Sequence, residues 1–599
     1  MEALRHVNKY FLRYKWHIML GFLFVALSNY FRVLQPQAIR QALDLVYENI
    51  RMHQMVDGFE AQEAVYGEIA QSLFFFAILV LILALIMGVF MYFMRQTIIV
   101  MSRLAEYDMR KEIYEQYQRL DQAFFRRNMT GDLMARITED VSKVRMYVGP
   151  ALLYGINLFT LFVLVIYSML SVSVELSLYC LMPLPLLSLS IYFVSSLIHK
   201  KSTVIQQQLS KLNSLAQEVF SGIRVIKSYT HEKAMGEFFV EECEDYKEKS
   251  MKLATVNALF FPLMLLIIGT STIMTIYFGG LQVYKGNITP GNIAEFVIYV
   301  NMLTWPVTSI GWIASIIQQA EASQKRINEF LHVEPSITSH TEDALEIRGH
   351  VKFDHVSFIY PDTGIKALSD VSFELMPGQK LVVVGKTGAG KTTIADLLLR
   401  LYDPTEGNIY LDGKNIKTLN LAQIREQIGY VTQDVFLFSD TIENNITFGK
   451  YDYENAKKDA RFYAEKAVVY DDIMELSDQF ETRIGERGVT LSGGQKQRLA
   501  MARTFMKEPN LFVLDDCLSA VDTTTENQIL TYLSDVLADK TAIMITHRIY
   551  GLLSFDKIIV LEGGKVVEMG AHEDLLKLKG YYHKMYERQQ LVDAENKVL

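Results

Sequence analysis

The feature that most constrains this chain is a series of aliphatic and aromatic runs, each about twenty residues long, confined to residues 1 to about 325. A helix rises about 1.5 Å per residue, so such a run crosses the roughly 30 Å of hydrocarbon in a bilayer. Six segments meet that length: His17 to Gln35, Leu73 to Met94, Val148 to Val172, Leu176 to Ile198, Leu259 to Tyr284 and Ile293 to Ile316. The first contains Asn29 and Arg32 and is followed by no small-residue cleavage site, so it reads as a retained membrane helix rather than a signal peptide.

Spacing and charge then organise these spans. The links after the second and fourth are long and polar, keep helical periodicity and contain few breakers, which predicts helices that continue well into water. The links after the third and fifth are only a few residues. Arg5, Lys9, Arg13 and Lys15 precede the first span, and Arg95, Arg103, Arg110, Lys111 and Arg119 follow the second; their positive charge assigns those ends to the cytoplasm. The link from Pro36 to Gln71 carries Asp44, Glu48, Asp57, Glu60, Glu63 and Glu68 against Arg40 and Arg51, which suits the outer side.

Polar side chains at membrane depth are sparse, the clearest being Asn157, Asn301 and Thr304, with Trp305 and Pro306 beside the last two. Asn157, Asn301 and Trp305 are candidates for lining a substrate path, since intramembrane polar groups tend to face a cavity or bundle interior. The other reading is that they bond neighbouring helices.

The second half is of another kind. A chain of 599 residues exceeds one compact core, and residues 347 to 599 alternate short apolar strands with polar helices, as in a soluble α/β domain. A net charge of −9 argues against a nucleic-acid partner. The three cysteines, Cys180, Cys243 and Cys517, have neither disulfide nor metal-ligand spacing.

Leu381 to Val384 form a short apolar strand entering "GKTGAGKT", Gly385 to Thr392, and "TIADLLLRL" follows with helical periodicity. Strand, glycine loop and helix are the context a phosphate-binding loop requires. Gly385, Gly388 and Gly390 let the backbone N–H groups of Lys386, Thr387, Ala389 and their neighbours turn toward phosphate oxygens. Lys391 is placed for the β and γ phosphates, the Thr392 hydroxyl for Mg²⁺, and Thr393 completes the expected nucleotide-binding set in the first helical turn. Further on, "FVLDDCLSAVD" brings Asp515 and Asp516 to the end of a buried run.

"LSGGQ", Leu491, Ser492, Gly493, Gly494 and Gln495, heads the helical "KQRLAMARTFM". With this sequence in place, the order of phosphate loop, signature, aspartate strand and His547 resembles the ATP-binding-cassette (ABC) family. The resemblance implies ATP and Mg²⁺ as ligands and a signature that closes over ATP held by a second cassette. It also implies roles for single residues. Tyr360 in "FIYPDTG" would stack on adenine; Gln433 in "YVTQD" would contact Mg²⁺ or water; Asp515 would bind the metal; Asp522 would belong to the loop crossing to the partner; His547 in "ITHR" would lie near the γ-phosphate.

The first half is similar to the exporters of the same family. "FFRRNMTGDLMARITED" (124–140) and "EVFSGIRVIKSYTHE" (218–232) look like the segments whose short coupling helices dock on cassettes, and "TRIGERG" (482–488) like an exporter loop before the signature. The expected fold is therefore an all-α, six-helix exporter membrane domain, residues 1–330, a linker, 331–346, and an α/β P-loop ABC domain, 347–599. The implied activity is ATP-driven export or flipping of amphipathic molecules or lipids across the cytoplasmic membrane.

Asp516 departs from the family pattern, which has glutamate there to polarise the attacking water. A general base must come within about 2.6 to 3.2 Å of its proton, and aspartate is one methylene shorter. The departure resembles the degenerate half of heterodimeric bacterial multidrug exporters, in which a second exporter half brings the glutamate. A homodimer with a working Asp516, and an ATP-gated channel or regulator on the same fold, are the alternatives.

Overall fold

The computed structural model describes residues 2–598 except 54–58, 340, 342, 344–345, 451–452, 486–490, 520, 522 and 549–554. Asp522 and part of the 482–488 segment therefore lie outside the described residues. The chain divides into two compact units: Met1–Tyr117 with Gly131–His332, and Gln118–Thr130 with Val333–Leu599.

The first unit is helical. Among the described residues five helical runs are long and apolar enough to cross a membrane: Lys15–Ile50, Tyr66–Arg119, Thr130–Val172, Glu232–Tyr284 and Pro290–Leu331. The segment expected as a fourth span, Leu176 to Ile198, is divided between helices Val174–Leu181 and Pro183–Ser221. Pro183 opens the second of these at its first turn, where its missing N–H breaks no intrahelical bond. Ser173 starts the first by accepting a hydrogen bond from the Leu176 N–H.

The helices expected to be long are so: one runs unbroken from Phe59 to Arg119 and another from Pro183 to Ser221. The acidic link after Gln35 is largely helical. Helix persists through Pro36 to His53 and resumes at Phe59. Pro36 removes one backbone donor, a loss that neighbouring helices make tolerable in membrane segments. Thr289 and Asn292 form a reciprocal capping box, with Pro290 at the first position, and so fix the start of the last long helix. Val33, Leu161, Val165, Met169, Phe296, Tyr299 and Leu303 are buried together at the centre of this unit.

The second unit holds two sheets. β1 (Val351–Ile359), β2 (Lys366–Leu375), β4 (Glu406–Leu411) and β5 (Lys414–Asn415) form an antiparallel sheet in the order β2-β1-β4-β5. The other contains β3 (Lys380–Gly385), β6 (Ile428–Val431), β7 (Leu511–Asp515), β8 (Thr541–Ile545), β9 (Lys557–Glu562) and β10 (Lys565–Gly570), ordered β10-β9-β3-β8-β7-β6. Within it β9, β3, β8, β7 and β6 are mutually parallel. The strands β7 and β8 are buried along their whole length, as befits a parallel sheet covered on both faces.

Candidate nucleotide site and membrane cavity

Parallel order determines the site. Because β6, β7, β8 and β3 lie side by side and point the same way, the residues that follow them share one edge of the sheet. Gln433 follows β6, Asp515 ends β7 with Asp516 next, His547 follows β8, and the loop from Gly385 follows β3. Ligands of open α/β sheets bind at this carboxyl edge.

The phosphate loop has the backbone that its glycines permit. Gly388 and Gly390 take φ of 81° and 95°, in the left-handed region that L side chains avoid. At Gly390 a Cβ would also come within 2.3 Å of the Ala367 carbonyl oxygen, so space and conformation both demand glycine. Gly390 caps the helix Lys391–Leu398, whose N-terminus faces the loop. Gly385 and Ala389 are buried, while Lys386, Thr387 and Gly388 are exposed.

Lys391 folds back on this loop, and its ammonium donates to the carbonyl oxygens of Gly385 and Lys386, both at 3.0 Å. Burial lowers its pKa, and the neighbouring Asp515 and Asp516 oppose that shift. The Thr392 hydroxyl stands close enough to the Asp515 carboxylate to lower its pKa. Asp515 is only 1% exposed, and its Oδ2 has no hydrogen-bond partner among the described residues. Burial, with the charges of Asp516 and Asp396, raises its pKa to about 6 against the opposing influence of the Thr392 hydroxyl and Lys391. A buried carboxylate oxygen left bare beside a threonine hydroxyl is a donor set that fits a hard divalent cation such as Mg²⁺.

Asp516 sits at φ 48°, a left-handed conformation that aspartate tolerates better than most residues. Its N–H donates to the Ile545 carbonyl at 2.8 Å, and its Oδ1 lies 2.9 Å from His547 Nδ1. Gln433 is exposed beyond the edge strand. Tyr360 reaches the first turn of the phosphate-loop helix, its hydroxyl 3.0 Å from Thr393 Oγ1 and 3.3 Å from Asp396 Oδ2.

The segment Gln118–Thr130 belongs to this unit, and its helix Gln122–Arg127 brings a residue that sequence reasoning did not single out. The Arg126 guanidinium lies over the Tyr360 ring, 4.8 Å from its centroid, and 3.6 Å from Asp362. Arg127 donates to the Pro361 carbonyl at 3.0 Å. "FFRR" gives the residue type, but nothing local shows which aromatic it meets.

The signature residues lie apart from this constellation. Ser492 and Gly493 are exposed at the start of the helix Gly493–Met506. Ser492 accepts from the Gln495 N–H at 3.2 Å, and the Gln495 side chain accepts from the Ser492 N–H at 3.0 Å. Gln495 also donates to Asp472 at 2.9 Å, Gly494 is buried, and Leu491 packs against the core. The result is a rigid, open helix N-terminus suited to anionic oxygens.

In the helical unit a cavity of about 720 Å³ is lined by Asn29, Asn157, Tyr154 and Trp305, with Met91 and Met94 among its apolar walls. Asn29 donates to the Asn157 carbonyl at 3.2 Å and to Thr160 Oγ1 at 2.6 Å. Asn301 does not line this cavity; it is exposed and donates to the Val297 carbonyl of its own helix at 2.8 Å. Arg32 and Arg95 do line it. An arginine inside an apolar run was the available signal for Arg32.

Residues 18–307 match the ABC transporter transmembrane region, and residues 368–519 match the ABC transporter domain. A Bacillus subtilis protein named a probable multidrug resistance ABC transporter ATP-binding/permease protein, YheI, is 36% identical over 88% of this chain and 90% of its own length. The chain belongs to the ABC transporter family.

This ABC transporter is also 34% identical, over 90% of its length and 91% of the relative's, to the multidrug resistance-like ATP-binding protein MdlA of Escherichia coli. The structure of a bacterial Atm1-family ABC exporter with ATP bound superposes with a TM-score of 0.75 at 24% identity, covering 97% of this chain and 98% of that one. That likeness establishes the exporter fold. The transporter is thus a multi-pass membrane protein whose ATPase domain couples ATP hydrolysis to transport.

Proposed function

We propose that this chain is one half of a two-chain exporter of amphipathic molecules, drug-like or lipid, with a slow ATP site on its own phosphate loop. The membrane domain would comprise residues 1–330, the linker 331–346 and the cassette 347–599. The N-terminus and cassette face the cytoplasm in this reading, as the basic residues flanking the first two spans require.

In the chain's own site, Tyr360 stacks on adenine, backbone N–H groups from Gly385 to Gly390 hold phosphate oxygens, and Lys391 neutralises the β and γ phosphates. Thr392, Asp515 and Gln433 would hold Mg²⁺, which when bound offsets phosphate charge. Bare, buried Asp515 Oδ2 supports that assignment. His547 approaches the γ-phosphate, and Asp522 belongs to the loop crossing to the second chain. Ser492, Gly493 and Gly494 complete the other site, on ATP held by the second cassette.

The observation that carries the slow-site reading is the Asp516 side chain, already short, engaged by His547 at 2.9 Å. A displacement of about 1 Å from the productive position can cost about a hundredfold in rate. The second chain supplies the glutamate for its own loop, and this chain lends it an intact signature. Exposed Phe220, Val225 and Tyr229 around the short helix Ile223–Ser228 suit docking on the second cassette.

The test is ATP turnover by the purified chain, alone and with the second half, before and after Asp516→Glu. The expected result is slow turnover alone and a marked gain with glutamate. Fast turnover by the unaltered lone chain, with no gain from glutamate, would remove the reading of two different chains in favour of a homodimer. ATP-dependent uptake of an amphipathic dye into inside-out vesicles separates transport from an ATP-gated channel.

A further inference from the structure

The membrane cavity has a one-sided charge character. Arg32 and Arg95 both line it, and no aspartate or glutamate does among the described residues. The contrast lies on the same helix as Arg32: Arg40 is matched by Glu295 at 3.2 Å, whereas no described carboxylate lies within ion-pairing reach of Arg32 or Arg95. An arginine at such a place is costly unless it faces a cavity or an anion.

The remaining wall is amphipathic. Tyr154 stands edge-on to Trp305 with ring centroids 5.4 Å apart, and Met94 adds a deformable apolar surface. Asn157 offers neutral hydrogen-bonding capacity. At about 720 Å³ the volume falls within the range of about 300 to 1,000 Å³ usual for sites that take drug-sized ligands.

We propose that this cavity selects amphiphiles with an anionic head group, a phosphate or carboxylate held by Arg32 and Arg95 and an apolar body laid against Tyr154, Trp305 and Met94. Guanidinium groups suit this task because their planar donor fork matches two oxygens of a phosphate or carboxylate at once. A cationic amphiphile meets two like charges and no counter-charge there. The inference rests on reading the cavity as the cargo site, and it deepens that reading by fixing the sign of the cargo's charge.

The experiment uses the full chain in phosphatidylcholine nanodiscs with Trp16→Phe and Trp312→Phe, leaving Trp305 as the only one of three tryptophans. Trp305 fluorescence is titrated with dodecyl phosphate, dodecyltrimethylammonium and dodecyl maltoside. The expected result is at least about tenfold tighter binding of the phosphate than of the ammonium, the scale of one well-made charged contact. Arg32→Gln with Arg95→Gln should bring those two within about twofold and leave the maltoside unchanged.

Nanodiscs containing phosphatidylglycerol identify the source of the anion. Weaker dodecyl phosphate binding there, relieved by the double glutamine variant, assigns the site to a lipid head group; no competition assigns it to a free amphiphile. Equal or tighter binding of the ammonium, or a phosphate preference that survives the double variant, overturns the proposal. If no amphiphile of any charge changes Trp305 emission, the cargo-site reading itself fails. Should the glutamine variant not fold, the charge ranking of the unaltered chain decides, with Arg32→Lys and Arg95→Lys expected to retain it.

Discussion

Asp516 and His547, which follow neighbouring parallel strands, meet at 2.9 Å between Oδ1 and Nδ1, while the Asp516 N–H bonds to Ile545 on the second of those strands. The carboxylate is thereby held toward the histidine by both backbone and side chain. Replacing Asp516 with glutamate lengthens the arm by one methylene. ATPase at this chain's own phosphate loop should rise by about ten- to a hundredfold with little change in ATP affinity. Steady-state turnover and nucleotide binding, measured on the same preparation, check both halves of that statement.

Arg126 over the Tyr360 ring predicts a separation of binding from coupling. Tyr360→Leu should weaken ATP binding about tenfold or more, the scale of a lost base–aromatic stack of about 1–3 kcal/mol. Arg126→Ala removes a cation–π contact together with the approach to Asp362, and should shift ATP affinity less than about threefold while reducing cargo-stimulated ATPase. A fluorescent-nucleotide titration set beside ATPase assays with and without cargo distinguishes the two variants.

Asp121 predicts how the helix Gln122–Arg127 responds to pH. It accepts from the Phe124 N–H at 3.1 Å, from the Ser336 N–H at 2.8 Å and from the Ser336 hydroxyl. Burial pushes its pKa up, but the Ser336 and Phe124 hydrogen bonds outweigh it and leave the value below the ordinary carboxylate range. A depressed folded pKa means that the stabilisation is complete above the unfolded value of about 3.9 and lost as pH falls through the folded one. Between pH 6 and pH 8 (roughly two or more units above that value) proteolysis of this segment should be pH-independent, and Asp121→Asn should accelerate it throughout.

Glu295 is fully buried in the helical unit and pairs with Arg40 at 3.2 Å while accepting from the Tyr299 hydroxyl at 2.9 Å. Removing one partner strands the other charge. Arg40→Met should cost about 3–5 kcal/mol, and Arg40→Met combined with Glu295→Leu distinctly less, because the pair's desolvation cost disappears with it. Thermal unfolding in detergent, followed for both variants, tests the order.

Local physics was legible in the order of the residues. Run length and hydropathy give membrane helices, Gly388 and Gly390 permit the loop's left-handed turns, and Ser492 with Gln495 caps a helix from three residues apart. That order also gave the kind of residue each site needs, down to the shortened acid at position 516. Which of those residues meet follows only from how the strands and helices pack. The order β6-β7-β8-β3 brings Gln433, the Asp515–Asp516 pair and His547 to the one sheet edge that also carries the phosphate loop, although long stretches of chain separate these strands. The same holds for Arg126 on Tyr360, and for Arg32 and Arg95 in one cavity. Strand order and helix packing are set by long-range burial of whole faces, and periodicity within one segment carries no record of its neighbour. That is also why Asn157 and Asn301, alike in sequence terms, part company: one helix face turns to the cavity and the other does not.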